Sequence, residues 1–127
     1  MNSDTQAQFI AEVDKKRDLL VQEIMRNVEL ALDFSFQDAQ AHLAVVIPKL
    51  NELVALQKKE ERILGTKRDV VEQEVEVEQQ LRTLIKRFST EKDFAAQQLW
   101  ISTIAEKVND LRAAAKREDE AVRAKQS

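Results

Sequence analysis

Across 127 residues there is one glycine, Gly65, and one proline, Pro48. Sheet proteins reverse the chain every few residues, and tight reversals draw on glycine, proline and Asn-Gly pairs because several turn types need positive φ. A chain without that punctuation cannot close a sheet of this size. Alanine, leucine, glutamine, glutamate, lysine and arginine fill the sequence instead, and each costs little in a helix. With 43% apolar and 34% charged residues, the mixture suits long helices buried on one side and wet on the other. The sequence therefore predicts an all-α protein. Two forms fit: an antiparallel bundle of about four helices, or a long-helix coiled-coil hairpin completed by oligomerisation. At this length the expectation is a single helical domain over 1–127, with about 113–127 as a frayed, charged C-terminal extension.

Helix starts are expected where a hydroxyl residue precedes an acid or glutamine by three positions. Ser3 with Gln6, Ser35 with Asp38, Thr66 with Asp69 and Thr90 with Asp93 meet that rule. They divide the chain into segments of about 4–33, 36–64, 67–88 and 91–123. Leu64-Gly65-Thr66 offers a stop followed at once by a start, since Gly65 suits the left-handed position after a helix. The alternative is one helix from about 49 to 88 that tolerates Gly65 at ~1 kcal/mol. The break is the favoured reading. Pro48 lies inside the second segment and predicts a kink there, because proline removes one helical hydrogen bond.

Apolar residues recur at helical spacing in every segment. Ile10, Val13, Leu20, Ile24 and Val28 mark the first, interrupted by Lys15, Lys16 and Arg17, which read as a solvated turn. Phe34 and Phe36 flank Ser35 and suit a helix corner closed by aromatic rings. Leu43, Val46, Ile47, Leu50, Leu53 and Val54 mark the second segment. In the third, Val70, Val77 and Leu84 stand seven apart with Leu81 and Phe88 beside them, and Glu72, Glu74, Glu76 and Glu78 read as a solvated acidic face. The fourth carries a seven-residue ladder of Phe94, Ile101, Val108, Ala115 and Val122, with Ile104 and Leu111 at the companion positions. Gln97 and Glu118 are its polar exceptions. That pattern predicts a coiled-coil seam. Leu99 and Trp100 fall off the seam, which predicts either burial on a second side or an anchor for another chain.

Little catalytic chemistry is available. Cysteine is absent and His42 is the only histidine, so thiolate zinc sites and Glu-x-x-His di-iron sites cannot be assembled. One glycine cannot make a phosphate-binding loop. With 20 basic and 23 acidic residues the net charge is −3, without the basic surplus of a nucleic-acid binder. Lys58-Lys59 and Lys67-Arg68 adjoin Glu60-Glu61 and Asp69, which offset them. No stretch approaches the roughly 18 apolar residues of a membrane span, and the polar N-terminal sequence lacks a leader's apolar core.

The expected function is thus a non-enzymatic, cytoplasmic protein–protein interaction module: a scaffold or adaptor subunit of a larger helical assembly. Its partner is a second copy or another helical subunit, with no cofactor, metal, small-molecule substrate or nucleic acid. Contact is expected through Phe94, Ile101, Ile104, Val108 and Leu111, with Leu99 and Trp100 as a second patch. The alternatives are an export or assembly chaperone and a membrane-surface amphipathic protein.

Overall fold

A computed structural model describes residues 3–33, 35–64 and 69–126. They form four helices: α1 (Ser3–Asp33), α2 (Phe36–Leu64), α3 (Asp69–Thr90) and α4 (Phe94–Gln126). Each packs against the next in sequence, and α1 closes the ring against α4. This is an up-down four-helix bundle, with no strand among the described residues. The break expected at Gly65 lies outside the described residues, as do Thr66 and Phe34.

The caps explain where helices begin. Ser35 is the N-cap of α2: its Oγ accepts from the Asp38 backbone N–H at 3.5 Å and donates to the Asp38 carboxylate at 3.2 Å. The cap of α4 corrects the sequence reading by three residues. Thr90 finishes α3, its hydroxyl donating to the carbonyls of Lys86 and Arg87. Asp93 caps α4 instead, accepting from the Ala96 N–H at 3.0 Å. A carboxylate there satisfies an orphan donor and also opposes the positive end of the helix dipole. The Ser3 and Thr66 side chains, the other two expected caps, lie outside the described ones.

Pro48 is exposed within α2, which continues through it as one helix. Its missing N–H is tolerated because the helix is held by the packing of Leu43, Val46, Leu50 and Leu53, all fully buried. Along α1 the expected stripe of Ile10, Val13, Leu20, Ile24 and Val28 is buried throughout. Leu81, Ile85 and Phe88 from α3 meet Ile101, Ile104, Val108 and Leu111 from α4 in the same apolar core. At the bundle end the Phe36 and Phe88 rings lie 5.0 Å apart at 55°, a tilted aromatic contact that closes the core.

The C-terminal segment departs from expectation. Ala114, Ala115, Glu118 and Asp119 are buried, so the stretch from about 113 to 119 packs rather than projecting. Its alanines allow close approach to α1, and its buried acids face a cation described below. Side chains from Ala121 onward, Val122 included, lie outside the described ones.

Candidate functional site

Two places in the bundle hold chemistry beyond apolar packing. The first is a layer of charge across the interior, towards the end of the bundle where α2 gives way to α3. Arg17 is fully buried at its centre. One terminal guanidinium nitrogen donates to Asp14 and Asp119 and the other to Glu60 and Glu118, the Asp14 and Glu118 contacts both at 3.2 Å. Three helices thus converge on one cation, and α3 adds Glu74 and Glu78, also buried. Gln57 of α2 donates to Glu78 at 2.9 Å. Ile10 and Val13 are buried on the far side of this layer and stand outside the main apolar cluster.

Five of these buried carboxyls, Asp14, Glu60, Glu74, Glu118 and Asp119, therefore surround one guanidinium, and the sixth, Glu78, feels the charge of half-buried Arg82. A dry interior does not tolerate that imbalance in fully ionised form, because each uncompensated charge costs several kcal/mol to desolvate. Protons make up the difference. Burial pushes the Glu78 carboxyl up to about 7. Burial also raises Glu74, against the opposing effects of the adjacent Glu118 carboxyl and the Arg17 charge. Asp119 is raised by burial and by the neighbouring Asp14 carboxylate, despite its bond to Arg17. Among the described residues no group of histidines and acids has the disposition to hold a metal ion.

This layer corrects two expectations. Lys15 and Lys16 are exposed, but Arg17 is not a solvated residue. Glu72 and Glu76 are exposed as expected, whereas Glu74 and Glu78 occupy core positions. The third segment's core row accordingly runs through Glu74, Glu78, Leu81, Ile85 and Phe88, with Val77 and Leu84 only half-buried beside it. A signal existed in the sequence. Arg17 stands seven residues from both Ile10 and Ile24, and Glu118 seven from Leu111, which are core positions by register even though their side chains are charged.

The second place is the opposite end, where the α1–α2 and α3–α4 turns meet. Ala31, Leu32, Phe36, Phe88, Phe94 and Ile101 help to line a hollow of about 170 Å³. Phe94 is 72% exposed and Leu32 44%. Phe94 thus leaves the seam on which the heptad count placed it, because it is the first residue of α4 and extends beyond the packed core. Ile101, Ile104, Val108 and Leu111 stay on the seam, and the chain's own helices fill it.

Leu99 is 63% exposed on the outer side of α4. Its neighbour Trp100 is half-buried against the core. The Trp100 indole N–H donates to Glu91 at 3.2 Å, and the Arg87 guanidinium lies 5.4 Å from the ring centroid. Glu91 also accepts from the backbone N–H groups of Lys92 and Asp93, and these bonds hold its carboxyl below the usual range. Trp100 therefore pins the α3–α4 turn, and Phe94 and Leu99 are the expected contact residues left open to solvent.

Comparison with known proteins returns no matching family model, no matching curated protein and no matching solved structure.

Proposed function

We propose that this chain is a protein–protein interaction module, a scaffold or adaptor subunit rather than an enzyme, which docks a helical partner on the end of the bundle that carries Phe94. The supporting observation is the exposed Phe94 ring beside Leu32, above a hollow floored by Phe36 and Phe88. Aromatic side chains are enriched among binding hot spots, where a pocket desolvates them fully. Leu99 adds a second exposed apolar side chain on the same helix. Rigid turns support the docking end: Asp93 caps α4, and Trp100 with Glu91 fixes the approach to it. The cysteine-free chain suits a reducing compartment such as the cytoplasm.

The acidic layer is placed poorly for catalysis, since Glu74, Glu118 and Arg17 are sealed from solvent. The test uses a photoreactive amino acid at position 94 or 99, with exposed Arg112 as control, in cells that express the protein. A discrete adduct at 94 or 99 and none at 112 supports the reading. In the identified complex, Phe94→Ser should then weaken binding at least thirtyfold, about 2 kcal/mol, without loss of helicity. Equal labelling at all three positions, or none, contradicts it. Adducts with many unrelated clients would point to a chaperone instead.

A further inference from the structure

The buried positions of α2 are 39, 43, 46, 50, 53, 57 and 60, and those of α3 are 74, 78, 81, 85 and 88. Within each helix the steps alternate between three and four residues, the rhythm of a coiled-coil seam. Glu60 and Glu74 are fourteen residues apart, two whole heptads. The seam of α3 thus resumes in the phase at which the seam of α2 ends, as though one count ran through both helices.

The other two turns lack this property. Counting on from Ala31 in α1 reaches positions 35, 38 and 42, one short of the 39 and 43 that are buried in α2. Counting on from Phe88 in α3 reaches 92, 95 and 99, two out of step with the 97 and 101 buried in α4. A turn that reverses the chain needs no shared phase on its two sides, and two of the three turns have none. The phase is kept only between α2 and α3. There the sequence offers Leu64, Lys67 and Val71 at the intervening seam positions, and a single glycine. Lys67 stands one heptad from both Glu60 and Glu74, the two acids nearest the turn in a layer short of positive charge.

We propose that two copies of this chain exchange hairpins, with α2 and α3 of each standing end to end in one line and the α3–α4 hairpin of one copy packing on the α1–α2 hairpin of the other. Every helix contact of the bundle is kept in this arrangement, but those of α1 with α4 and of α2 with α3 become contacts between copies. The α4 seam of Ile101, Ile104, Val108 and Leu111 would then meet the partner's α1. The charged layer fixes the register of the exchange. Arg17, Asp14 and Glu60 come from one copy, and Glu74, Glu78, Glu118 and Asp119 come from the other. A buried polar layer of this kind makes a displaced register costly, since it would leave ionised groups against apolar side chains. The inference goes beyond the docking surface at the bundle end, which the exchange leaves exposed.

The experiment is light scattering on the full chain refolded at about 100 µM, on Gly65→Ala, and on a variant with Gly-Ser-Gly-Ser-Gly inserted after Gly65. The expected result is a species of twice the 14.6 kDa chain mass in the unaltered protein. Gly65→Ala should tighten it roughly tenfold or more, because alanine favours a straight helix. The insertion should shift it to monomer, since a long flexible link favours closure within one chain. The Gln40 side chain bonds the Ser89 carbonyl at 2.7 Å, which supplies a second readout. Chains carrying only Gln40→Cys, refolded with chains carrying only Ser89→Cys, should be joined by a short bis-maleimide.

A monomer in both the unaltered chain and Gly65→Ala overturns the proposal. So does a dimer that is indifferent to the insertion and gives no 40–89 link between chains. That last outcome would mean association through another face, which leaves the interaction reading intact.

Discussion

Arg17→Met is expected to destabilise the bundle by roughly 3–5 kcal/mol at neutral pH, as is usual when one partner of a buried ion pair is removed. The substitution keeps much of the side-chain volume, so the loss arises from charge rather than from a cavity. Glu60, Glu118, Asp14 and Asp119 would remain buried without their shared cation. Part of the lost stability should return on acidification to about pH 5, because Asp119, whose carboxyl burial raises, does not need the guanidinium once it is protonated. Urea denaturation at pH 5 and at pH 8 checks both parts. A loss of equal size at the two pH values would show that Arg17 acts through packing alone.

Ile104→Asp should cost at least about 4 kcal/mol and leave the chain largely unfolded at 37 °C. Ile104 is fully buried within the apolar core, among the α4 seam residues. An aspartate there loses the apolar transfer energy of isoleucine and adds an unpaired polar group to a dry site. The contrast with Glu118, fully buried on the same helix face, is instructive. A carboxylate is accepted fourteen residues further along because Arg17 waits opposite it. Circular dichroism melts of Ile104→Asp beside Ile104→Val, for which the expected loss is about 0.5–1.5 kcal/mol, separate the charge effect from trimming. Equal melting temperatures for the two would contradict the seam assignment.

Much of the architecture was legible because helices announce themselves through simple physics. The near absence of glycine and proline excluded sheets, and period 3.6 located the stripes of α1, α2 and α4. The Ser35 cap fell where a hydroxyl-to-acid spacing predicted it. The α4 cap did not, because Thr90 and Asp93 both satisfy capping chemistry and only the path of the chain decides between them.

The charged layer was hidden for a different reason. Hydropathy ranks Arg17, Glu60, Glu74, Glu78 and Glu118 as surface residues one at a time, and their burial is tolerable only when all arrive together. Register alone pointed to them. At the bundle end, the heptad count assigned Phe94 to the seam, but a first-turn residue can extend past the last layer of the core, and Phe94 does. Trp100 took the first of the two roles considered for it: it is held on the bundle's own second side by Glu91 and Arg87, next to a Leu99 that remains exposed.

The interior holds more carboxyls than positive charges, and it can keep them buried by binding protons. The most direct test of this is the unfolding free energy of the unaltered chain by urea titration between pH 5 and pH 8. Glu78 is raised from 4.5 to about 7 in the folded protein, and Glu74 and Asp119 are raised as well. The native state therefore holds more protons than the unfolded chain in this window. Their stabilising contribution is present below the unfolded carboxylate range and is lost as pH climbs through the folded values. Stability is expected to fall from pH 5 to pH 8, with Glu78 alone contributing on the order of 3 kcal/mol. Stability that rises or stays level over that interval would contradict it, and would mean that the acids of the layer are ionised and compensated in the folded bundle.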